Sequence, residues 1–408
     1  MGISDILLLT ALISTSALAH PTVGPIAPGN SFSERILFTK EESDSCRTPD
    51  NKQGQCIDLK SCPVLLSLLT MTRPLPSEVI DFLRNSQCGF KGSSPLVCCP
   101  LPTPSTTEAP KPIVEEPPDV SSHPNLRLLP LNICGPVSAN KIINGNRTAL
   151  FQYPWMALIR YNKGGNSAPM FLCGGTVINE KYVLTAAHCI VELPSTLKLT
   201  GVRLGEYDID SDIDCMNEDG EEVCAETHVD VDIEESISHP KYSLSHLHND
   251  IGLIRIKGTA NFRSDSIKPI CLPLGGDQKR NLDGHNLIVS GWGTTEKGIS
   301  SSVLLEVDVP VMPQEQCANI YSRSSASYRR PVRITSSQIC AGGVNARDSC
   351  GGDSGGPLIF KGEVNLRPRF VQYGIVSFGP RSCGIKGIPG VYTKVAFYVD
   401  WILSNMRP

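Results

Sequence analysis

Short apolar runs separated by turn residues dominate the chain from Ile142 onward. Runs such as Tyr182-Val183-Leu184 are bounded by glycine, proline or asparagine, a spacing typical of all-β folds. The stretch from Tyr398 to Met406 instead carries apolar residues at helical spacing. The pattern therefore predicts an all-β barrel architecture that ends in a C-terminal helix.

The N-terminal third has a different pattern. Its one long apolar run, Ile6 to Ile13, is too short to span a membrane. The small residues Ala17-Leu18-Ala19 follow it, so we interpret residues 1–19 as a secretory signal peptide. Residues 101–133 are rich in proline, threonine, serine and glutamate and predict an extended linker. We expect a secreted, extracellular protein without a membrane partner.

Charge and cysteine content narrow the class further. The 408 residues carry a net charge of −4, which gives no indication of a nucleic-acid partner. Sixteen cysteines in a secreted chain predict disulfides, and their spacing does not form the paired C-x-x-C pattern of a metal site. Six of them fall in residues 45–100, a segment too small for a large core without disulfides. Six cysteines allow fifteen pairings, and spacing alone does not choose among them.

One ten-residue stretch, Asp348 to Pro357, carries the strongest chemical signal. It sets Ser354 among glycines, which permit a tight turn with outward-facing N–H groups. Such groups can stabilise the oxyanion of a tetrahedral intermediate. A serine nucleophile needs a base, and His188 follows the apolar run at 182–184, while Asp250 opens another. The chain order His, Asp, Ser matches one arrangement of the serine-protease triad.

On these motifs, the segment from Ile142 to Pro408 resembles the trypsin-like serine proteases. The resemblance implies two six-stranded antiparallel β-barrels of the chymotrypsin type and a protease domain over residues 142–408. It implies that Ser354 is the nucleophile, His188 the general base and Asp250 its orienting partner. The N–H groups of Gly352 and Ser354 would form the oxyanion hole, and the chemistry itself would need no cofactor.

The resemblance also assigns a substrate pocket. Asp348 stands where the family places the carboxylate that binds Lys or Arg, and Gly379 and Gly390 match the small residues that keep the pocket open. Phe378 stands where tryptophan is usual, so the pocket wall is expected to differ slightly. We therefore expect cleavage after Arg or Lys.

An activation switch is implied at Lys141-Ile142. Cleavage after Lys141 would free the Ile142 amine to pair with the Asp353 carboxylate, and a buried charge without its partner is costly. Asn144 replaces a glycine that is usual in the family, but the amine depends on residue 142 alone. In the uncleaved chain we expect a zymogen-like pocket.

The adjacent Cys98-Cys99 pair resembles the end of a clip domain, a regulatory module of arthropod immune and developmental proteases. An unrelated disulfide knot is the alternative. The clip and protease families together imply these pairs: Cys46–Cys98, Cys56–Cys88, Cys62–Cys99, Cys134–Cys271, Cys173–Cys189, Cys215–Cys224, Cys317–Cys340 and Cys350–Cys383.

Two further sites are candidates. The acidic stretch from Glu206 to Asp214 resembles a family calcium loop, in which the side chains of Glu206 and Asp214 and the carbonyls of Asp208 and Ser211 would bind the ion. A solvated acidic loop without calcium is the alternative. Asn146-Arg147-Thr148 is a glycosylation sequon.

Three functions fit these features. The first is a zymogen that, once cleaved, activates a downstream proprotein, such as prophenoloxidase or a Spätzle-like pro-cytokine, in an innate-immune cascade of an extracellular, haemolymph-like fluid. It would have a trypsin-like activating protease and a serpin-type inhibitor as partners. The second is a non-catalytic scaffold with a protease fold, against which the intact triad argues. The third is a digestive trypsin, which would need neither the clip segment nor the linker.

Overall fold

In a computed structural model of the chain, the structure describes fourteen stretches. They are residues 45–62, 64–66, 77–92, 94–101, 115–137, 147–165, 168–191, 193–218, 220–295, 298–323, 332–344, 349, 351–380 and 384–408. These belong to two compact units, Met1–Ile113 and Val114–Pro408. The signal peptide expected at residues 1–19 lies outside the described stretches.

The first unit is a small antiparallel sheet with one helix. Strands β1 (Ser45–Arg47), β2 (Gln53–Asp58), β3 (Gln87–Lys91) and β4 (Ser94–Pro100) run in the order β1-β2-β4-β3, with helix α1 at Ser77–Asn85. Its apolar cluster is small and includes two half-cystines, Cys62 and Cys99. Because so little apolar surface is buried, disulfides carry much of the stability of such a unit.

The second unit contains two closed barrels and a separate hairpin. The first barrel consists of β5 (Met156–Asn162), β6 (Met170–Val177), β7 (Tyr182–Thr185), β8 (Lys198–Leu204), β11 (Val229–Ser238) and β12 (Gly252–Ile256). The second consists of β13 (Asn286–Gly291), β14 (Leu305–Met312), β15 (Gln338–Ala341), β16 (Pro357–Val364), β17 (Arg367–Phe378) and β18 (Gly390–Lys394). Around the first barrel the strands run in the order β11-β12-β7-β6-β5-β8, and around the second in the order β13-β14-β15-β18-β17-β16; every pairing in both is antiparallel. The hairpin pairs β9 (Cys215–Glu218) with β10 (Glu221–Cys224), and the helices are α2 (Gln314–Arg323) and α3 (Val399–Asn405).

This architecture confirms the fold class expected from the sequence. The short apolar runs form the strands, and their side chains fill the interiors of the barrels. Strands β7 and β12, for example, are buried at every position. The C-terminal helix begins one residue after the expected start and packs Val399, Ile402 and Leu403 into the larger apolar cluster. No described helix is long and apolar enough to cross a membrane.

Seven of the eight implied disulfides involve described cysteines, and the structure forms all seven pairs. Three lie in the first unit: Cys46–Cys98, Cys56–Cys88 and Cys62–Cys99. Four lie in the second: Cys134–Cys271, Cys173–Cys189, Cys215–Cys224 and Cys317–Cys340. Cys350 and Cys383 lie outside the described residues.

The segment 115–137 is held within the second unit by more than the Cys134–Cys271 disulfide. The Asn125 amide donates to the carbonyls of Leu403 and Met406, at 2.9 and 3.0 Å, and so satisfies carbonyls at the end of α3. Val120 and Leu129 are buried in the larger apolar cluster. This segment is therefore part of the core of the unit.

Candidate active site

His188 lies in a single turn of 3-10 helix, Ala187–Cys189, directly after β7. Its backbone N–H donates to Asp250 Oδ1 at 3.0 Å, and its ring Nδ1 lies 2.8 Å from Asp250 Oδ2. The Cys173–Cys189 disulfide joins this turn to β6. The imidazole is thus fixed in orientation from the backbone and from the ring at once.

The Asp250 carboxylate is buried at the entrance to β12 and accepts three hydrogen bonds. Besides the two from His188, the Ser377 hydroxyl donates to its Oδ2 at 2.6 Å, and the Thr393 hydroxyl donates to the Asp250 carbonyl at 2.7 Å. Burial lowers the pKa of His188, but the hydrogen bond and the negative charge of Asp250 more than offset it, so that the pKa of His188 is raised above its ordinary value. Asp250 therefore stabilises the positive charge that the imidazole acquires when it accepts a proton.

Ser354 lies beside this turn, in the interface between the barrels. Its carbonyl accepts from the Gly174 N–H at 2.8 Å and lies 3.7 Å from Cys189 Sγ. Among the described residues, no hydrogen bond joins the Ser354 hydroxyl to the His188 ring. Catalytic hydrogen bonds are often long before substrate binds. The three predicted triad residues are thus brought into one site.

The turn around Ser354 needs glycine on both sides. Gly352 has φ of 100° and Gly355 has φ of 79°, a region that favours glycine. A Cβ on Gly355 would lie 2.2 Å from Thr185 Oγ1, and one on Gly352 would lie 3.0 Å from the Gly293 Cα. The glycine run therefore reflects backbone geometry and close packing at the site.

The two pocket glycines face each other. A Cβ built on Gly379 would lie 3.7 Å from the Gly390 Cα, so that larger residues here would narrow the space between them. Phe378 packs edge-on against Tyr321, with ring centroids 5.8 Å apart. Asp348, the expected charge of this pocket, lies outside the described residues, as do Lys141, Ile142 and the sequon residue Asn146.

Asp353, the expected receiver of the new N-terminus, points into the fold. Its Oδ1 accepts from the Gly293 N–H at 2.9 Å, and a Cβ on Gly291 or on Gly293 would meet the carboxylate. The two glycines therefore form one wall around this carboxylate. The remaining part of the pocket, from residue 345 to 348 and from 381 to 383, is not described, so the expected zymogen-like state stays a prediction.

The acidic loop brings two predicted calcium ligands together. Glu206 Oε1 and Asp214 Oδ2 both accept from the Tyr207 N–H, at 2.9 and 3.2 Å. Burial raises the pKa of both carboxyls, and Asp214 Oδ1 is buried without a hydrogen-bond partner among the described residues. The loop therefore offers several oxygen donors, the kind of ligand that calcium prefers.

Two basic side chains, Arg203 and His228, face the other side of this loop. Arg203 Nη1 donates to Glu206 Oε2 at 3.1 Å, and His228 Nδ1 lies 3.4 Å from the same oxygen. Arg203 also pairs with Asp230 at 2.8 Å. Sequence reasoning missed both residues, and an arginine three residues before Glu206 was the available signal.

Sequence reasoning also missed Ser377 and Tyr207. Ser377 lies on β17, more than a hundred residues from Asp250, and no local motif connects them. Tyr207 sits next to a predicted ligand, but its contacts with distant segments become visible only in the fold.

With this geometry in place, comparison with known proteins identifies the family. The trypsin family model matches residues 142–402, and the model described as the regulatory clip domain of proteinases matches residues 46–99. The chain belongs to the clip-domain serine proteases of the trypsin family.

This clip-domain protease is similar along most of its length to curated relatives. Melanization protease 1 of Drosophila melanogaster is 39% identical, over 91% of this chain and 95% of the relative. Phenoloxidase-activating factor 1 of Holotrichia diomphalia is 40% identical, over 91% and 96%. The crystal structure of the Drosophila Grass clip serine protease of the Toll pathway aligns with a TM-score of 0.57 at 35% identity, covering 89% of this chain and 97% of that one. The clip-domain protease is a trypsin-like serine endopeptidase and acts on protein substrates.

Proposed function

We propose that this protease is a secreted zymogen which, after cleavage at Lys141, cuts proproteins after Arg or Lys and so activates the next protein of an extracellular immune cascade. The buried Asp250 carboxylate that holds His188 beside Ser354 carries the catalytic part of this proposal. A scaffold without catalysis would have no need for an aspartate with three hydrogen bonds behind its histidine.

The mechanism is acyl transfer. Ser354 Oγ attacks the carbonyl after a basic residue while His188 Nε2 accepts its proton, and the Gly352 and Ser354 N–H groups stabilise the oxyanion. His188 then returns the proton to the leaving amine, and water repeats the sequence on the acyl-enzyme. Asp250 keeps the Nδ1–H of His188 directed toward itself, so that Nε2 is free to accept the proton.

Activation would supply a cation to the Asp353 site. The new α-amine of Ile142 would pair with the Asp353 carboxylate, whose Oδ1 already accepts from Gly293. Because the carboxylate lies next to Ser354, seating it would also align the oxyanion donors. The proposed pocket carboxylate is Asp348, with Gly379 and Gly390 keeping the entrance open.

The cascade role follows from the relatives. The similar proteins include the Spaetzle-processing enzyme and the serine protease Grass of Drosophila melanogaster, each 37% identical, over 99% and 89% of this chain. The first name refers to the processing of Spaetzle, and the crystal structure of Grass is described as that of a protease of the Toll pathway. We therefore assign this chain a proprotein substrate, an upstream trypsin-like activator and a serpin-type inhibitor. Asn146 is the proposed glycosylation site.

One experiment tests the substrate proposal directly. The protease, cut at Lys141, is incubated with candidate zymogens and pro-cytokines, and the new N-termini are sequenced. We expect a single cut in one candidate, directly after Arg or Lys, and no such cut by the uncleaved protein. Cuts after apolar residues, or indiscriminate digestion of all candidates, would contradict the proposal and favour a digestive enzyme.

We further propose that the acidic loop binds calcium, with Glu206 and Asp214 as side-chain ligands and the carbonyls of Asp208 and Ser211 as backbone ligands. The unpartnered Asp214 Oδ1 supports this. Bound calcium would neutralise two adjacent carboxylates and stabilise the loop without taking part in catalysis.

Calorimetric titration of the Ser354→Ala protein with calcium checks this site. We expect binding of one ion and a higher unfolding temperature, and an affinity at least about tenfold lower in Asp214→Asn, which has lost one charged ligand. Glu222→Gln, in the exposed β9–β10 hairpin, is the control and should bind as the parent does. Equal affinity in all three proteins would rule the site out.

A further inference from the structure

Tyr207 contacts three separate parts of the second unit with its polar groups. Its N–H donates to the two carboxylates of the acidic loop, as described above. Its hydroxyl donates to the Thr148 carbonyl at 2.7 Å, and its own carbonyl accepts from Trp292 Nε1 at 3.0 Å and from the Leu304 N–H at 2.9 Å. The bond to Thr148 comes from the side chain and the other bonds come from the backbone, and together they join segments that are remote in sequence.

The contact with Thr148 fixes the chain shortly after the proposed new N-terminus, Ile142. Thr148 lies six residues after Ile142 and is completely buried. Its N–H and its hydroxyl both donate to the Leu304 carbonyl, at 3.3 and 3.0 Å, while the Leu304 N–H donates to Tyr207. Tyr207, Leu304 and Thr148 therefore form a closed set of hydrogen bonds from which the chain leads back to Ile142.

The Trp292 contact fixes the other half of the switch. Trp292 is buried and directly precedes Gly293, whose N–H donates to Asp353 Oδ1. A Cβ on Gly293 would lie 2.5 Å from this carboxylate, so the Gly293 backbone and Asp353 have no slack between them. The position of the Trp292 ring thus bears on the position of the carboxylate that the new amine must reach.

We infer that Tyr207 is a positioning residue for zymogen activation, which holds Thr148, six residues after Ile142, and the wall of the Asp353 site in fixed relation. This inference rests on the proposed activation by the Ile142 amine. An ion pair of this kind depends on both partners being placed together, because either charge alone is costly to bury. Loss of the Tyr207 hydroxyl removes one of the hydrogen bonds that hold Thr148 and leaves those to Leu304, so the amine leaves Asp353 more often, although the active state still predominates.

Carbamylation by cyanate measures this directly. Cyanate reacts with an unprotonated, exposed α-amine near neutral pH far faster than with lysine, because the α-amine has the lower pKa. Because cyanate also reacts with an activated serine hydroxyl, the Ile142 amine is followed by itself: in the full-length protein cleaved at Lys141, the rate at which the Ile142 peptide gains the mass of a carbamyl group reports how often that amine is released. We expect Ile142 in Tyr207→Phe to be carbamylated about fivefold faster than in the parent, the change expected when one hydrogen bond is lost, with kcat before cyanate treatment nearly unchanged.

A matched control separates this effect from general destabilisation. Tyr373→Phe also removes a tyrosine hydroxyl bond, from Tyr373 to Asp277 Oδ1 at 2.6 Å, but this is none of the bonds that join Tyr207 to Thr148 or to Trp292. Ile142 in Tyr373→Phe should be carbamylated at the parent rate. Trp292→Phe removes the indole donor to the Tyr207 carbonyl together with part of a buried side chain; Ile142 should be carbamylated faster in this variant as well, which gives a second reading if Tyr207→Phe folds poorly.

The outcomes distinguish the two proposals. If Ile142 is carbamylated at the parent rate in Tyr207→Phe and in Trp292→Phe, or if it is carbamylated as fast in Tyr373→Phe as in those two variants, Tyr207 has no positioning role and this inference is overturned. If cyanate carbamylates Ile142 in the parent without loss of activity, the activation mechanism itself is wrong, and the inference is wrong with it.

Discussion

Replacing Ser354 with alanine in the cleaved protein is expected to lower kcat for an arginyl ester by about 10⁶-fold. The reason is that the Ser354 hydroxyl is the proposed nucleophile, presented by a turn in which Gly352 and Gly355 both have positive φ. The oxyanion donors and substrate binding would remain, so a small residual rate above that of water is expected. Ester hydrolysis, followed with active-site titration of the parent, measures the loss.

The control for this change is Ser322→Ala. Ser322 lies on α2 and donates to the Asn319 carbonyl at 3.0 Å, so its loss should leave hydrolysis unchanged. Turnover by Ser354→Ala within tenfold of the parent would remove Ser354 as nucleophile. A cleaved parent that hydrolyses no ester would instead favour the scaffold function.

Asp250→Asn is expected to lower kcat by about 10⁴-fold, through the histidine rather than the nucleophile. The carboxylate presents two acceptor oxygens, one to the His188 backbone and one to the ring and Ser377. An amide keeps only one acceptor, so its NH₂ group must face a donor, and the imidazole is pushed to the tautomer that cannot take a proton from Ser354.

The pH profile gives this variant a signature of its own. The hydrogen bond and charge of Asp250 raise the pKa of His188 against the lowering effect of burial, and neutral His188 is the active base. Activity of the parent should therefore fall as the pH drops through this raised pKa. In Asp250→Asn the raising effect is lost, so the residual activity should persist to lower pH. An unmoved acidic limb would show that another group controls it.

Much of this site could be predicted from the sequence because the relevant chemistry is local. Glycines around a serine, or an aspartate at the start of an apolar strand, are visible within ten residues, and the alternation of apolar runs indicates barrels. Contacts that depend on closure of the barrels could not be predicted in this way. Ser377 donates to Asp250 across more than a hundred residues of sequence, and Trp292 donates to the Tyr207 carbonyl across 85.

The acidic loop from Glu206 to Asp214 shows the same limit of prediction from sequence. A count of acidic residues predicts a cation site, but the count does not show that Arg203 and His228 already face one Glu206 oxygen. The fold therefore divides the loop into a side neutralised by the protein and a side with the unpartnered Asp214 oxygen. Any ion would bind on the second side.

The packing of residues 115–137 keeps the two parts of the chain together after the proposed cut at Lys141. Because Cys134 is bonded to Cys271, and because Asn125 and the buried Val120 and Leu129 hold the segment against the C-terminal helix and the core, the cut opens the chain without separating its parts. Zymogen and enzyme then have nearly the same mass and the same rate of diffusion. Whatever surface retains the zymogen through its N-terminal unit would also retain the active enzyme, and proteolysis would spread from that point only as far as the whole molecule can travel.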